Sequence, residues 1–93
     1  MEFDWDPQKA TSNLAKHGLD FTDGVLVFED PSRIERADRR FRAEQRFQAI
    51  GDANGRLLFV AYTMRGQLYR IISVRSASRR ERTAYSLQAG HRP

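Results

Sequence analysis

The chain is predicted to be an α+β domain, and three features of its pattern lead there. Stretches near 45–53, 56–64 and 67–75 are rich in β-branched and aromatic residues and are separated by pairs of turn residues. Two segments nearer the N-terminus instead begin on aspartates suited to capping and space their apolar residues at helical intervals. A last segment opens with Ser78 and Glu81 three apart, a capping box. With 93 residues, no repeat and no linker, the expectation is one domain over 1–93, with about 89–93 a loose tail.

The elements follow in order. Glu2-Phe3-Asp4-Trp5 alternates and reads as a short strand. Asp6 is placed to cap a helix with Pro7 at its first position, and Lys16-His17-Gly18 ends it. Asp20 caps a second, shorter helix on which Phe21, Val25 and Phe28 share a face, and Asp30-Pro31 stops it. Residues 32–44 are rich in arginine and ambiguous; a strand at about 33–37 followed by a charged loop is expected. Three strands come next, joined at Asn54-Gly55, a strong hairpin signal, and at Arg65-Gly66, a weaker one. The final helix runs to about Gln88.

Two-residue turns fix a register. Phe47, Ala49, Leu58, Val60, Tyr62, Tyr69 and Ile71 then fall on one sheet face. The opposite face takes Ile50, Leu57, Phe59, Ile72 and Val74 at one end, and Arg46, Gln48, Thr63 and Arg70 at the other. An apolar end beside a cationic end fits a shallow anion-binding surface, and equally a sheet edge open to water.

Charge narrows the function classes. The net charge is +4, and it is polarised along the chain. Residues 1–31 hold seven acids and two lysines, whereas from Arg65 to the C-terminus there are seven arginines and one acid, Glu81. A clustered positive field attracts a polyanion, and nucleic acid is the first candidate. The absence of cysteine excludes disulfides, thiolate zinc sites and cysteine nucleophiles. With no signal-like start and no long apolar run, a cytoplasmic protein without membrane attachment is expected. No second acidic cluster sits near the basic end and no glycine-rich phosphate loop appears, so no metal site and no cofactor are expected; no helix-turn-helix pattern is found, which speaks against a DNA-binding repressor.

The candidate chemistry lies in a few side chains. The planar guanidinium of arginine matches phosphate oxygens in a bidentate way. Arg75 ends a strand, and Arg79, Arg80 and Arg82 sit in the first turn of the helix that follows, where free N–H groups add positive potential. Arg75 and Arg79 are favoured for phosphate contact, while Arg80 points elsewhere and reads as a solvated helix residue. The imidazole of His17 is a side chain suited to general acid or base work, but a histidine at a helix C-terminus is also explained by the helix dipole. Lys9 and Lys16 are ordinary helix-surface lysines unless the fold brings them beside the arginines. Glu44 is a base or simply a partner for Arg42 or Arg46. Tyr62 and Tyr69 suit the core edge better than base stacking.

Two stretches together resemble one family. Trp5-Asp6 with Lys9, Asn13, Lys16-His17-Gly18 and Phe21 is similar to the opening of BrnT toxins, W-D-x-x-K-x-x-x-N-x-x-K-H-G-x-x-F. Arg70-Ile71-Ile72-Ser73, Arg75, Ala77-Ser78-Arg79-Arg80-Glu81-Arg82 and Tyr85 resemble its closing run, and Glu44-Gln45-Arg46-Phe47 with Ile50-Gly51 fit its central strand. The likeness covers about 2–88, in order and at the right spacing. Val74 and Ser76 fall at variable positions, and the loop at Arg36 to Arg42 is more basic than usual.

The resemblance implies a RelE-like fold and the toxin half of a type II toxin–antitoxin pair. It implies a ribonuclease that reduces translation and is neutralised by a BrnA-like antitoxin, with operator DNA bound only through the antitoxin complex. Lys16, His17, Arg46, Arg70, Arg75, Arg79, Arg80 and Arg82 match motif positions. The expected activity is metal-independent cleavage of RNA, free or on the ribosome, in which the 2′-hydroxyl attacks the adjacent phosphate. Arg75 and Arg79 are expected to stabilise the transition state and His17 with Lys16 to move protons. Arg46, Arg70, Arg80, Arg82 and Lys9 are expected to bind RNA. The rival expectation is a protein that binds RNA, the ribosome or an antitoxin without cutting.

Overall fold

Asp6 holds an extended backbone and accepts the Gln8 N–H at 2.9 Å, so the chain turns into a helix at Pro7, whose missing N–H costs nothing there. The computed structural model describes residues 1–89; the tail expected at about 89–93, His91 included, lies outside the described residues but for Ala89. Strand β1 (Glu2–Asp4) precedes helix α1 (Pro7–His17), which closes at Gly18. Asp20 and Asp23 cap each other's backbone and start α2 (Phe21–Val27). The ambiguous arginine-rich stretch contains β2 (Ile34–Asp38), where a strand was expected. Strands β3 (Arg46–Ala53), β4 (Arg56–Arg65) and β5 (Leu68–Ser76) and helix α3 (Arg79–Ala89) complete the expected α+β order.

The five strands form one sheet in the order β1-β5-β4-β3-β2. Neighbours among β2 to β5 are antiparallel, and β1 joins β5 in parallel, so the sheet is mixed. The β3–β4 hairpin turns on Asn54 (φ 53°) and Gly55 (φ 90°), the pair of left-handed residues that matches the twist of two strands. The β4–β5 loop is Gly66-Gln67, one residue beyond the expected Arg65-Gly66, because Gly66 supplies the positive φ at the first loop position.

One part of the expected register fails, for a definite reason. Tyr62 pairs with Ile71, but Ala61 pairs with Ser73, so Ile72 is an extra residue bulged out of β5. Beyond the bulge every side chain of β5 changes face. Val74 therefore sits opposite Val60 in the main core, not with Ile50 and Phe59, and Ile72 leaves that cluster too. The same switch places Arg75 opposite Phe59.

Helices α1 and α2 cover one face of the sheet, where Phe21, Leu19, Val27, Leu58, Val60, Ile71 and Val74 are all buried. Burying each such side chain stabilises the fold by about 1.5–3 kcal/mol. Trp5 meets Phe21 edge to face at 5.8 Å, which anchors the start of α1 to α2. Asn13 of α1 is buried; its amide donates to the carbonyls of Leu19 (3.0 Å) and Val74 (2.9 Å) and its oxygen accepts the Val74 N–H (3.0 Å). Since β1 pairs only with Leu68 to Arg70, Asn13 supplies the edge of β5 with the backbone partner it lacks further on. On the opposite face α3 rests on Ile50, Phe59 and Ala77 through Tyr85. The Tyr85 hydroxyl donates to Asp30 at 2.6 Å, and Asp30 also accepts the Ser32 and Asp52 N–H groups. Among the described residues no helix is long and apolar enough to cross a membrane.

Candidate functional site

The end of β5 and the start of α3 are built around Glu81. Its carboxylate accepts the Ser78 N–H at 2.8 Å while Ser78 Oγ accepts the Glu81 N–H at 3.2 Å, the capping box that the sequence predicts. The same carboxylate receives both Nη atoms of Arg75, at 2.9 and 2.8 Å. Burial pushes the Glu81 carboxyl up, but the bonds from Arg75 and Ser78 outweigh it and hold the group below its ordinary range. The Arg75 guanidinium also lies 3.9 Å above the centre of the Phe59 ring. Arg75 is thus fixed in place, with about a third of its side chain (36%) left open to solvent. Arg79, Arg80 and Arg82 are exposed on the first turn of α3; Arg82 donates to the Ala77 carbonyl at 2.9 Å. Neither Arg79 nor Arg80 has an ion-pair partner among the described residues.

The open end of the same sheet face carries a row of polar side chains. Asp4 pairs with Arg70, Arg70 with Thr63, and Asp38 with Arg46, while the β3–β4 register continues to set Arg46 beside Thr63. The register predicts Arg46, Thr63 and Arg70 at this end, but Asp4 and Asp38 of the two outer strands stand in the same row, so the end is mixed in charge and not simply cationic. Arg70 donates to Asp4 at 2.9 Å. Arg46 lies 3.6 Å from Glu44 and 4.3 Å above the Phe41 ring, and its buried Nε has no hydrogen-bond partner. Asp4 Oδ1 is buried and unpartnered in the same way. Asp38, by contrast, is fully engaged: the Arg40 guanidinium above all, with the Arg40 N–H and Gln48, holds its carboxyl far below the usual range. One strand, β4, separates Arg46 from Arg70, so they lie two strand spacings or roughly 10 Å apart.

On the other face, between α1 and β5, lies an open groove of about 460 Å³. Lys9, Lys16 and His17 line it together with Asn13, Ile72 and Ser73. The expected proton-transfer pair therefore shares one groove with Lys9, and the helical spacing that joins them was present in the sequence. Among the described residues none of the arginines of β5 or α3 lines this groove. The helices carrying the two sets pack on opposite faces, and the end of β5 runs between them.

Asn13, Phe59 and Phe41 also shape these sites, and no local pattern in the sequence marks their part in them. Asn13 was present in the opening motif, but its partner Val74 is 61 residues away. Phe59 was placed on the right face without the bulge that brings Arg75 over it.

Most of the chain has a known counterpart. A family described as "Ribonuclease toxin, BrnT, of type II toxin-antitoxin system" matches residues 5–81, which takes in α1, α2, β2 to β5 and the capping box of α3. No match is found among curated proteins. The match covers well over half of the chain, including every candidate site residue except Arg82, and it places the chain in the BrnT family of ribonuclease toxins of type II toxin–antitoxin systems.

Proposed function

We propose that this toxin is a metal-independent endoribonuclease that lowers translation by cutting RNA, acting in the cytoplasm on free or ribosome-bound transcripts. The observation that carries this reading is the start of α3, where Arg79, Arg80 and Arg82 are exposed beside an Arg75 already oriented by Glu81. Preorganised guanidinium groups stabilise charge that develops on a phosphate in the transition state without reorganising at that moment. In the proposed reaction the ribose 2′-oxygen forms a bond to the adjacent phosphorus and the bond to the 5′-oxygen breaks. A base removes the 2′-hydroxyl proton and an acid supplies one to the departing 5′-oxygen, leaving a 2′,3′-cyclic phosphate and a 5′-hydroxyl.

Arg75 and Arg79 would stabilise the phosphorane-like charge, and Arg46, Arg70, Arg80, Arg82 and Lys9 would hold the backbone. His17 is the favoured proton-transfer group, with Lys16 beside it in the α1 groove. These residues act with the arginines only if one RNA strand spans the end of β5. Glu44 is the less favoured base, since it is exposed and turned toward Arg46. The antitoxin is proposed to be BrnA-like, and operator DNA to be bound by the complex, not by this chain alone.

Single-turnover cleavage by His17→Ala and Arg79→Ala tests the assignment. Both should lose on the order of 100-fold or more in rate with folding intact. Full cleavage by His17→Ala would remove it from proton transfer, and full cleavage by both would place the reaction elsewhere. Steeply salt-dependent binding of RNA that stays intact, on ribosomes as well, would favour the non-catalytic reading.

A further inference from the structure

The sheet face that carries α1 and α2 has an open end. There an open groove of about 410 Å³ is lined by Phe47, Tyr62, Met64 and Tyr69, with Glu35, Arg36 and Ala37 of β2 along its side. The aromatic part is continuous: Phe47 stacks on Tyr62 at 5.5 Å, and Tyr62 leans on Tyr69 at 5.6 Å. Ala37 is exposed and also lines a second hollow of about 340 Å³, formed with Arg39, Phe41, Arg42, Gln45 and Asp38, whose carboxylate is already held by Arg40 at 2.7 Å. An apolar hollow and a cationic hollow thus meet at one small residue. That residue belongs to β2, one of the two outer strands of the sheet, whose free edge leaves backbone N–H and C=O groups without a sheet partner among the described residues.

We propose that these two hollows and the β2 edge form the docking surface for the antitoxin, taking an acidic segment that carries apolar anchors. The proposal rests on the antitoxin partner that the family implies and is independent of how RNA is cut. Charge complementarity argues for the occupant. Residues 33–46 hold six arginines against three acids, and Arg36, Arg39 and Arg42 are exposed along this side. Carboxylates of the segment meet these arginines while its apolar side chains enter the aromatic groove, and the β2 edge accepts an extended backbone. RNA suits the place less well. The Glu35 carboxylate beside the groove accepts the Tyr62 hydroxyl at 2.7 Å and is paired with Arg33 at 2.7 Å, and Arg36 donates to Gln48 at 2.8 Å, so the lining offers apolar contact more than a cation aimed at a phosphate.

Ala37→Glu tests this most directly, because the residue is exposed and the new side chain blocks the junction with the partner's own charge. Titration calorimetry with the cognate antitoxin, expressed from the same operon, should show binding weakened about tenfold or more. Thermal unfolding and affinity for a labelled single-stranded RNA should stay near wild type. The paired charge reversal Arg39→Glu/Arg42→Glu, in an exposed loop, should weaken the antitoxin likewise and serves if Ala37→Glu does not fold. Antitoxin binding within about twofold of wild type in both variants would overturn the proposal. So would a loss of RNA affinity with antitoxin affinity kept, which would make the groove a stacking platform for bases. Failure of the chain to cut RNA would leave the titration readable, so the two proposals fail separately.

Discussion

Asn13 stands in for a missing strand. Its three hydrogen bonds to Leu19 and Val74 replace the ladder that β1 does not extend along β5. Asn13→Ala would leave a buried N–H and two carbonyls of the backbone unpaired, and urea unfolding should show a loss of about 1–3 kcal/mol. No reading of the sequence reached this, because an asparagine inside a helix looks like a surface residue until the strand beside it is known. The capping residues were legible, since a cap and the backbone group it satisfies lie two or three positions apart. Titration at single residues sets both ends of the stability profile. Asp30 and Glu81 are held below their ordinary values of 3.8 and 4.5, in each case despite burial, by Tyr85 and backbone N–H groups around Asp30 and by Arg75 and Ser78 around Glu81. Their folded pKa is depressed, so their contribution is present above those values and is lost as pH falls further. Tyr85 is pushed up to about 12 by burial and by its bond to Asp30. Its folded pKa is raised, so its contribution is whole below 10 and fades as pH rises from 10 to about 12. Tyr85→Phe should therefore make the unfolding free energy less sensitive to pH across that alkaline window.

At the scale of elements, α2 approaches the sheet more closely than any side chain at position 24 allows. A Cβ on Gly24 would lie 2.6 Å from Val74 Cγ2 and 3.3 Å from Val60 Cγ2, and both valines are stiff and buried. Gly24→Ala is expected to cost about 1–3 kcal/mol, and adding Val74→Ala should recover part of that cost in a double-mutant cycle. Simple additivity of the two losses would argue against the contact. The order and bounds of the elements were readable because turn pairs, caps and alternation are local signals. The β5 bulge was not, because it depends on how Ile71, Ile72 and Ser73 are shared between the core, the sheet partner and the α1 groove. That one residue decides where Val74 and Arg75 point, so the sequence reading kept the strand and misplaced half of its faces.

For the whole molecule, the consequence is a sheet with cationic surfaces on both sides of β5. Lys9, Lys16 and His17 line the groove on one side, and Arg46, Arg70, Arg75 and the arginines of α3 lie toward the other. Arg75 and Arg79 stood out as candidates by residue type and position, and His17, Lys16 and the rest through the family resemblance, but their division between two faces was not legible, since it follows from how α1 and α3 pack. An RNA strand held by such a surface releases counterions, so affinity should fall steeply with salt. Arg79→Ala should make the slope of log K against log salt shallower by about 0.7, the change expected for one lost phosphate contact to a single strand. The most direct test of the ribonuclease reading is end-group analysis of RNA treated with the purified chain in excess EDTA, on naked transcripts and on translating ribosomes, with Arg79→Ala alongside. The proposed chemistry predicts 2′,3′-cyclic phosphate and 5′-hydroxyl ends on at least one of these substrates, and none with the variant. Cleavage abolished by EDTA, or products bearing 3′-hydroxyl and 5′-phosphate ends, would contradict it.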